Sequence, residues 1–140
     1  MRSRHSCSIG ERRRVVRTGS LSLELTLVLP ILLVMLFGLF EFALLFNARI
    51  ELDRATRAGA RIAMMQGVDA SVVEREVKQS LRPKFARAVS IGMQLGEFSG
   101  DEVVVEAGLP MTVASPNLLW PIGYNLVGQE IVTLVRVRKE

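Results

Sequence analysis

LTLVLPILLVMLFGLF, residues Leu25 to Phe40, is a run of sixteen residues without a charge. Glu24 precedes it and Glu41 follows it, after which Ala43–Phe46 continue the apolar character. As a helix, Leu25–Phe46 extends about 33 Å at ~1.5 Å per residue. A bilayer core takes roughly twenty such residues, so the stretch reads as one transmembrane helix. It is too long for the apolar region of a secretory signal, and no small-x-small cleavage site follows it. Cys7 comes before the run, which argues against a lipoprotein anchor.

Outward from this helix the charge is uneven. Residues 1–19 hold six arginines (2, 4, 12, 13, 14 and 17) and one acid, Glu11. The rest of the chain holds twelve basic and thirteen acidic residues, so the whole positive excess lies in the first nineteen. Arg49, Arg54, Arg57 and Arg61 flank the other side of the helix. Six arginines against four favour an N-terminus in the cytoplasm and the bulk of the chain outside. A nucleic-acid-binding domain would carry its basic footprint on the folded body; this body is close to neutral, and nucleic acid is not expected as a partner. With 140 residues and a mean hydropathy of +0.31, the chain has room for one small domain besides the helix.

The junction between leader and helix reads Gly19-Ser20-Leu21-Ser22-Leu23-Glu24. A basic leader, a glycine, and a glutamate five residues later at the head of a hydrophobic helix resemble a type IV prepilin. The resemblance implies cleavage by prepilin peptidase between Gly19 and Ser20, on the cytoplasmic face. It also implies that Glu24 pairs with the freed α-amine of a neighbouring subunit. The physics is compatible, because an unpaired carboxylate at the bilayer edge is costly. The bland alternative is a Glu24 that snorkels to the headgroups.

The following residues narrow the resemblance. Glu24, Pro30, Gly38, Glu41-Phe42, Ala55, Ala58-Gly59-Ala60-Arg61 and Gly67 are similar to the TadE-like group, pseudopilins of the tight-adherence (Tad, or Flp) pilus systems. The resemblance covers residues 17–67. Leucine follows Glu24 where major Flp pilins have tyrosine, and the chain is much longer than those pilins, so it implies a minor pseudopilin. The related TadF-type proteins share leader and helix. Implied partners are the inner membrane, prepilin peptidase, other pilin-like subunits and Tad assembly components, with the mature chain either staying in the membrane or entering the fibre. Three segments result: a leader over 1–19, a transmembrane helix over 20–46 and a periplasmic α+β domain over 47–140.

Within the helix, Pro30 removes a backbone donor and is expected to bend it. Glu41 lies about 25 Å beyond Glu24 along a straight helix, near the outer interface. It reads as a solvated interfacial carboxylate, with polar contact to a partner helix as the alternative. Residues 47–66 continue the helix. Ala55, Gly59 and Ala63 recur every four residues, a face that admits close helix approach, either between subunits or onto the protein's own domain. Together with Glu24, Pro30, Gly38 and Glu41 they form the candidate helix-packing set. Asp53 and Arg57 can pair across one turn.

Gly67 is expected to end that helix. Ser71-Val72-Val73-Glu74 fits a capping box opening a second helix, with Val73, Val77 and Leu81 as its apolar stripe and Pro83 as its stop. Val89, Ile91, Met93 and Leu95 then alternate as a strand. A turn over 96–101 leads to a second strand through Val103, Val105, Ala107, Leu109 and Met111. A loop from Ser115 through Trp120 precedes a third strand over Ile131–Val137. Trp120 reads either as a cover for the domain's own core or as an anchor for a partner. Strands joined in sequence suggest an antiparallel meander with the second helix on one face.

Chemistry-bearing residues are scarce. His5 and Cys7 both lie in the leader, so a chain beginning at Ser20 contains neither. The usual base near neutral pH, the thiol nucleophile and most zinc ligand sets go with them. No glycine-rich phosphate loop follows a strand. No catalytic, cofactor or metal residue and no small-molecule substrate is expected. Two other readings remain beside the pseudopilin of a Tad system. One is an unprocessed bitopic inner-membrane anchor or regulator whose arginine arm meets anionic lipid. The other is a pseudopilin of a secretion or DNA-uptake machine.

Overall fold

The structure, a computed structural model, describes residues 18–138 apart from Gln66, Glu97 and Ser99. The arginine leader, with His5 and Cys7, lies outside the described residues. The elements run α1 (Thr18–Ala63), α2 (Ala70–Gln79), α3 (Pro83–Ala86), β1 (Ser90–Gln94), β2 (Glu102–Pro110), α4 (Met111–Ala114), a 3-10 turn (Trp120–Ile122) and β3 (Glu130–Arg138). This is the expected α+β class, with the expected three-stranded antiparallel sheet in the order β1-β2-β3. The chain divides into two compact units at Leu33/Val34.

The first unit is the opening part of α1. It stays helical through Pro30, whose missing N–H removes the bond to the Thr26 carbonyl. The Thr26 hydroxyl donates to the Ser22 carbonyl at 2.8 Å, one turn back. Every described side chain from Ser22 to Leu33 is exposed. The helix is apolar on all sides here, the signature of a span that lipid must cover.

The second unit begins at Val34 and takes in the last residues of the apolar run. Its part of α1 buries Ala48, Leu52, Ala55, Ala60 and Ala63, spaced for one helix face. The small residues on that face let α2 lie close. A Cβ on Gly59 would collide with the Val77 side chain and touch Val73 at 3.4 Å. Val73 and Val77 are themselves fully buried. The sheet closes the other side of the core. Val103, Val105, Ala107 and Leu109 alternate along β2 and are all buried. They pair with Val137, Val135, Thr133 and Ile131 of β3, and Val105 and Ala107 also face Met93 and Ile91 of β1. Burying each such aliphatic side chain stabilises by about 1.5–3 kcal/mol.

Three local expectations are corrected. First, α1 ends at Ala63 rather than near residue 66, and Gly67 takes φ +74° in the turn beyond it. Second, there is no capping box at Ser71. The helix opens at Ala70 with extended Asp69 as N-cap and no side-chain cap bond. The Asp69 carbonyl takes the Val72 amide at 3.0 Å. Ser71 and Glu74 therefore sit too far inside to cap, and Glu74 instead meets Lys78 at 2.6 Å. Third, Pro83 does not close α2, which ends at Gln79; it opens α3, where a missing N–H costs nothing. Glu51 ties α3 to α1. Its two oxygens take the Arg82 backbone N–H at 2.8 Å and Nε at 2.6 Å, while the guanidinium lies 4.6 Å from the centre of the Phe85 ring.

Candidate functional site

The expected processing residues Gly19 and Ser20 lie in the first turn of α1. Glu24 follows one turn later among exposed leucines, with Leu23 at 72% and Leu25 at 67% exposure. Among the described residues no donor meets its carboxylate. An apolar surface of this extent, with one unpartnered acid near its start, calls for lipid or neighbouring helices rather than water.

Glu41, the second acid of the helix, is placed quite differently. It is neither solvated nor free to meet a partner helix, and the reading as an exposed interfacial carboxylate is corrected. Only 1% of its surface is accessible. The Ser115 hydroxyl donates to Oε1 at 3.1 Å, the Leu118 N–H to Oε1 at 3.2 Å and the Leu119 N–H to Oε2 at 3.2 Å. The carboxylate thus closes the end of the loop after α4 against α1. Charge-assisted bonds of this kind are stronger than neutral ones, and three of them compensate its burial. Gly38, one turn earlier, faces the loop: a Cβ there would rest 3.6 Å from Leu119 Cδ1, an ordinary contact.

The small-residue set also resolves. Ala55, Gly59 and Ala63 are buried inside the second unit, with Gly59 under Val73 and Val77. The face they form is occupied by the chain's own α2 and core, which is one of the two expected uses. Trp120 does not cover the core; it stands 67% exposed, as does much of its loop. Between α1 and β3 lie two shallow clefts of about 580 and 420 Å³. Phe46 and Arg49 line both, Asp53 and Arg57 the larger, and Phe42 and Tyr124 the smaller. Among the described residues no three of His, Cys, Asp and Glu gather as a metal-binding group. The role of Ser115 and of the Leu118 and Leu119 amides was not legible in the sequence, since they lie 74 to 78 residues from Glu41. The only signal was a charged residue inside an apolar run.

Among the described residues one helix is long and apolar enough to cross a membrane, at the N-terminal side of a small α+β domain, which fits a single-pass membrane protein. Residues 19–61 match the family model described as TadE-like protein. The match falls on α1, the stretch whose residues carry the resemblance, and is consistent with a protein of Tad pilus systems. The family is structural and pilus-related, not known as enzymatic. No curated protein and no solved structure matched the chain.

Proposed function

We propose that this chain is a minor pseudopilin of a Tad/Flp pilus system. It is inserted in the inner membrane with its N-terminus in the cytoplasm, and prepilin peptidase cuts it between Gly19 and Ser20. Residues 20–46 anchor the mature chain among pilin-like subunits, and residues 47–140 stand in the periplasm, where they meet other Tad assembly components. The observation that carries this reading is the opening of α1. The long apolar helix opens at Thr18, one residue before the family match begins at Gly19, and Glu24 near its start meets no donor among the described residues.

The chemistry is an exchange of partners. Cutting the Gly19–Ser20 bond creates an ammonium at Ser20, four residues before Glu24. A lone carboxylate at the bilayer centre costs about 3 kcal/mol on the insertion scale. The ammonium of an adjacent subunit lowers that cost and sets the register in which two helices pack. Apolar helix surface alone fixes no register, because lipid tails are as apolar as leucine.

The test is the intact mass and N-terminal residue of the protein from host cells with and without prepilin peptidase. A chain that starts at Ser20 only when the peptidase is present supports the proposal. A chain that keeps its arginine leader in both strains overturns it in favour of an unprocessed bitopic anchor.

A further inference from the structure

From Ala107 to Gln129 the chain carries no charged residue, the longest such stretch outside the membrane helix. Part of it is buried strand, but the loop beyond α4 is not. Trp120, Ile122, Tyr124 and Val127 are exposed at 67%, 58%, 51% and 68%. A water-facing loop of this size normally carries charge, and this one presents apolar and amphipathic tips.

Two further observations say what covers it. The first is where the loop meets α1. Leu118 and Leu119 are bonded to Glu41, and Leu119 lies against Gly38. These contacts fall five to eight residues before Phe46, the end of the apolar run, or about 7–12 Å back along the helix. Interfacial apolar segments sink to a similar depth, roughly 5–10 Å into the headgroup–acyl boundary. The second is how the loop treats its own amides. Irregular backbone survives near lipid only when its polar groups find partners in the protein. Glu41 takes the Leu118 and Leu119 amides. Asn117, at φ 56°, takes the Leu126 amide with Oδ1 and donates from Nδ2 to Asn125 Oδ1. Asn125 Oδ1 also takes the Val127 amide at 3.0 Å. The Ile122, Gly123 and Gln129 amides find carbonyls within the loop, and Pro116 and Pro121 have no amide to satisfy.

We propose that the loop from Ser115 to Gln129 is a membrane foot, resting in the headgroup–acyl boundary of the leaflet on the domain's side. Trp120, Ile122 and Val127 enter the acyl edge. Tyr124 lies at the headgroups beside the stacked rings of Phe42 and Phe46, which are 6.5 Å apart. Arg49, lining the same cleft as Tyr124, faces lipid phosphate. Tryptophan and tyrosine favour this zone because one end of each is apolar and the other wet. The foot rests on the reading of α1 as a membrane span but not on the pilus assignment.

Trp120 is the single tryptophan of the chain, so its emission reports the foot directly. The full chain is reconstituted in phosphatidylcholine–phosphatidylglycerol vesicles, with and without lipid brominated on the upper acyl chain, and with iodide on both sides. The reference is the W120F/F98W double variant, which moves the indole to the exposed Phe98 in the turn between β1 and β2. The expected result is a blue-shifted Trp120 emission, mostly lost to brominated lipid and little changed by iodide, with the opposite response from the reference. A Trp120 as sensitive to iodide as the reference overturns the foot while vesicle flotation still supports the span. A Trp120 shielded from both quenchers also overturns it and points to cover by a second copy. Failure of the protein to float with the vesicles overturns span and foot together.

Discussion

Glu24 and Glu41 are two carboxylates on one helix, each at an end of the same apolar run, and their surroundings have little in common. Glu24 has no donor among the described residues. Glu41 has three, all supplied by a loop more than seventy residues downstream. A carboxylate near lipid must be matched by something. One of these acids is matched inside the chain, and the other meets no donor among the described residues. On the proposed function, the contrast separates a residue that fastens the loop to the helix from one that acts between molecules.

The sharpest way to break the comparison is to remove each acid in turn. Glu41→Ala orphans a buried hydroxyl and two part-buried amides and is expected to cost about 3 kcal/mol. Urea unfolding of the full chain in micelles, followed by circular dichroism, measures this. Glu24→Ala should change that stability by less than about 0.5 kcal/mol, as for an exposed residue without partners, while abolishing pilus assembly in the host. Equal losses of stability from the two variants would remove the distinction.

A second, smaller contrast uses the glycines of the same helix. A methyl on Gly59 runs into Val77, whereas one on Gly38 reaches only ordinary contact with Leu119. Alanine in place of glycine favours a helix by about 1 kcal/mol, and overpacking costs roughly 1–3 kcal/mol. Gly59→Ala is therefore expected to lose about 1 kcal/mol net and Gly38→Ala to gain a little, read from the same urea midpoints.

The smallest expected effects come from the ion pairs of α1. Glu51→Ala breaks a two-point clasp on Arg82 that includes a backbone amide and should cost about 1 kcal/mol. Asp53→Ala removes an exposed pair with Arg57, 2.9 Å apart, and should cost only a few tenths of a kcal/mol. A larger loss at Asp53 than at Glu51 would show that the clasp does not anchor α3.

The span, the helix beyond it, α2 and all three strands were legible in the sequence because each carries its own period. Val103, Val105, Ala107 and Leu109 alternate whatever surrounds them, and the apolar run needs no context. The helix ends were less legible. Ser71-Val72-Val73-Glu74 has the composition of a cap, yet the backbone had already turned helical at Ala70. Glu41 was misread for a different reason. Its position along the helix was clear, but its partners come from a loop whose path depends on the finished sheet. Local pattern records periodicity and says nothing of which distant amide will arrive. Of the candidate site, the Gly19-to-Glu24 spacing needs no tertiary structure to be seen, whereas the three donors around Glu41 exist only once the domain has formed.

The sequence distance within the Glu41 clasp also sets an order in time. Glu41 is synthesised 74 residues before Ser115, an interval of about 4–15 s at ~5–20 residues per second. During that interval the carboxylate, which directly follows the sixteen uncharged residues Leu25–Phe40, has none of its final donors. When Ser115 to Leu119 arrive, the same group changes duty. It ceases to be a lone charge beside an uncharged stretch and becomes the point where the loop is fastened to the helix.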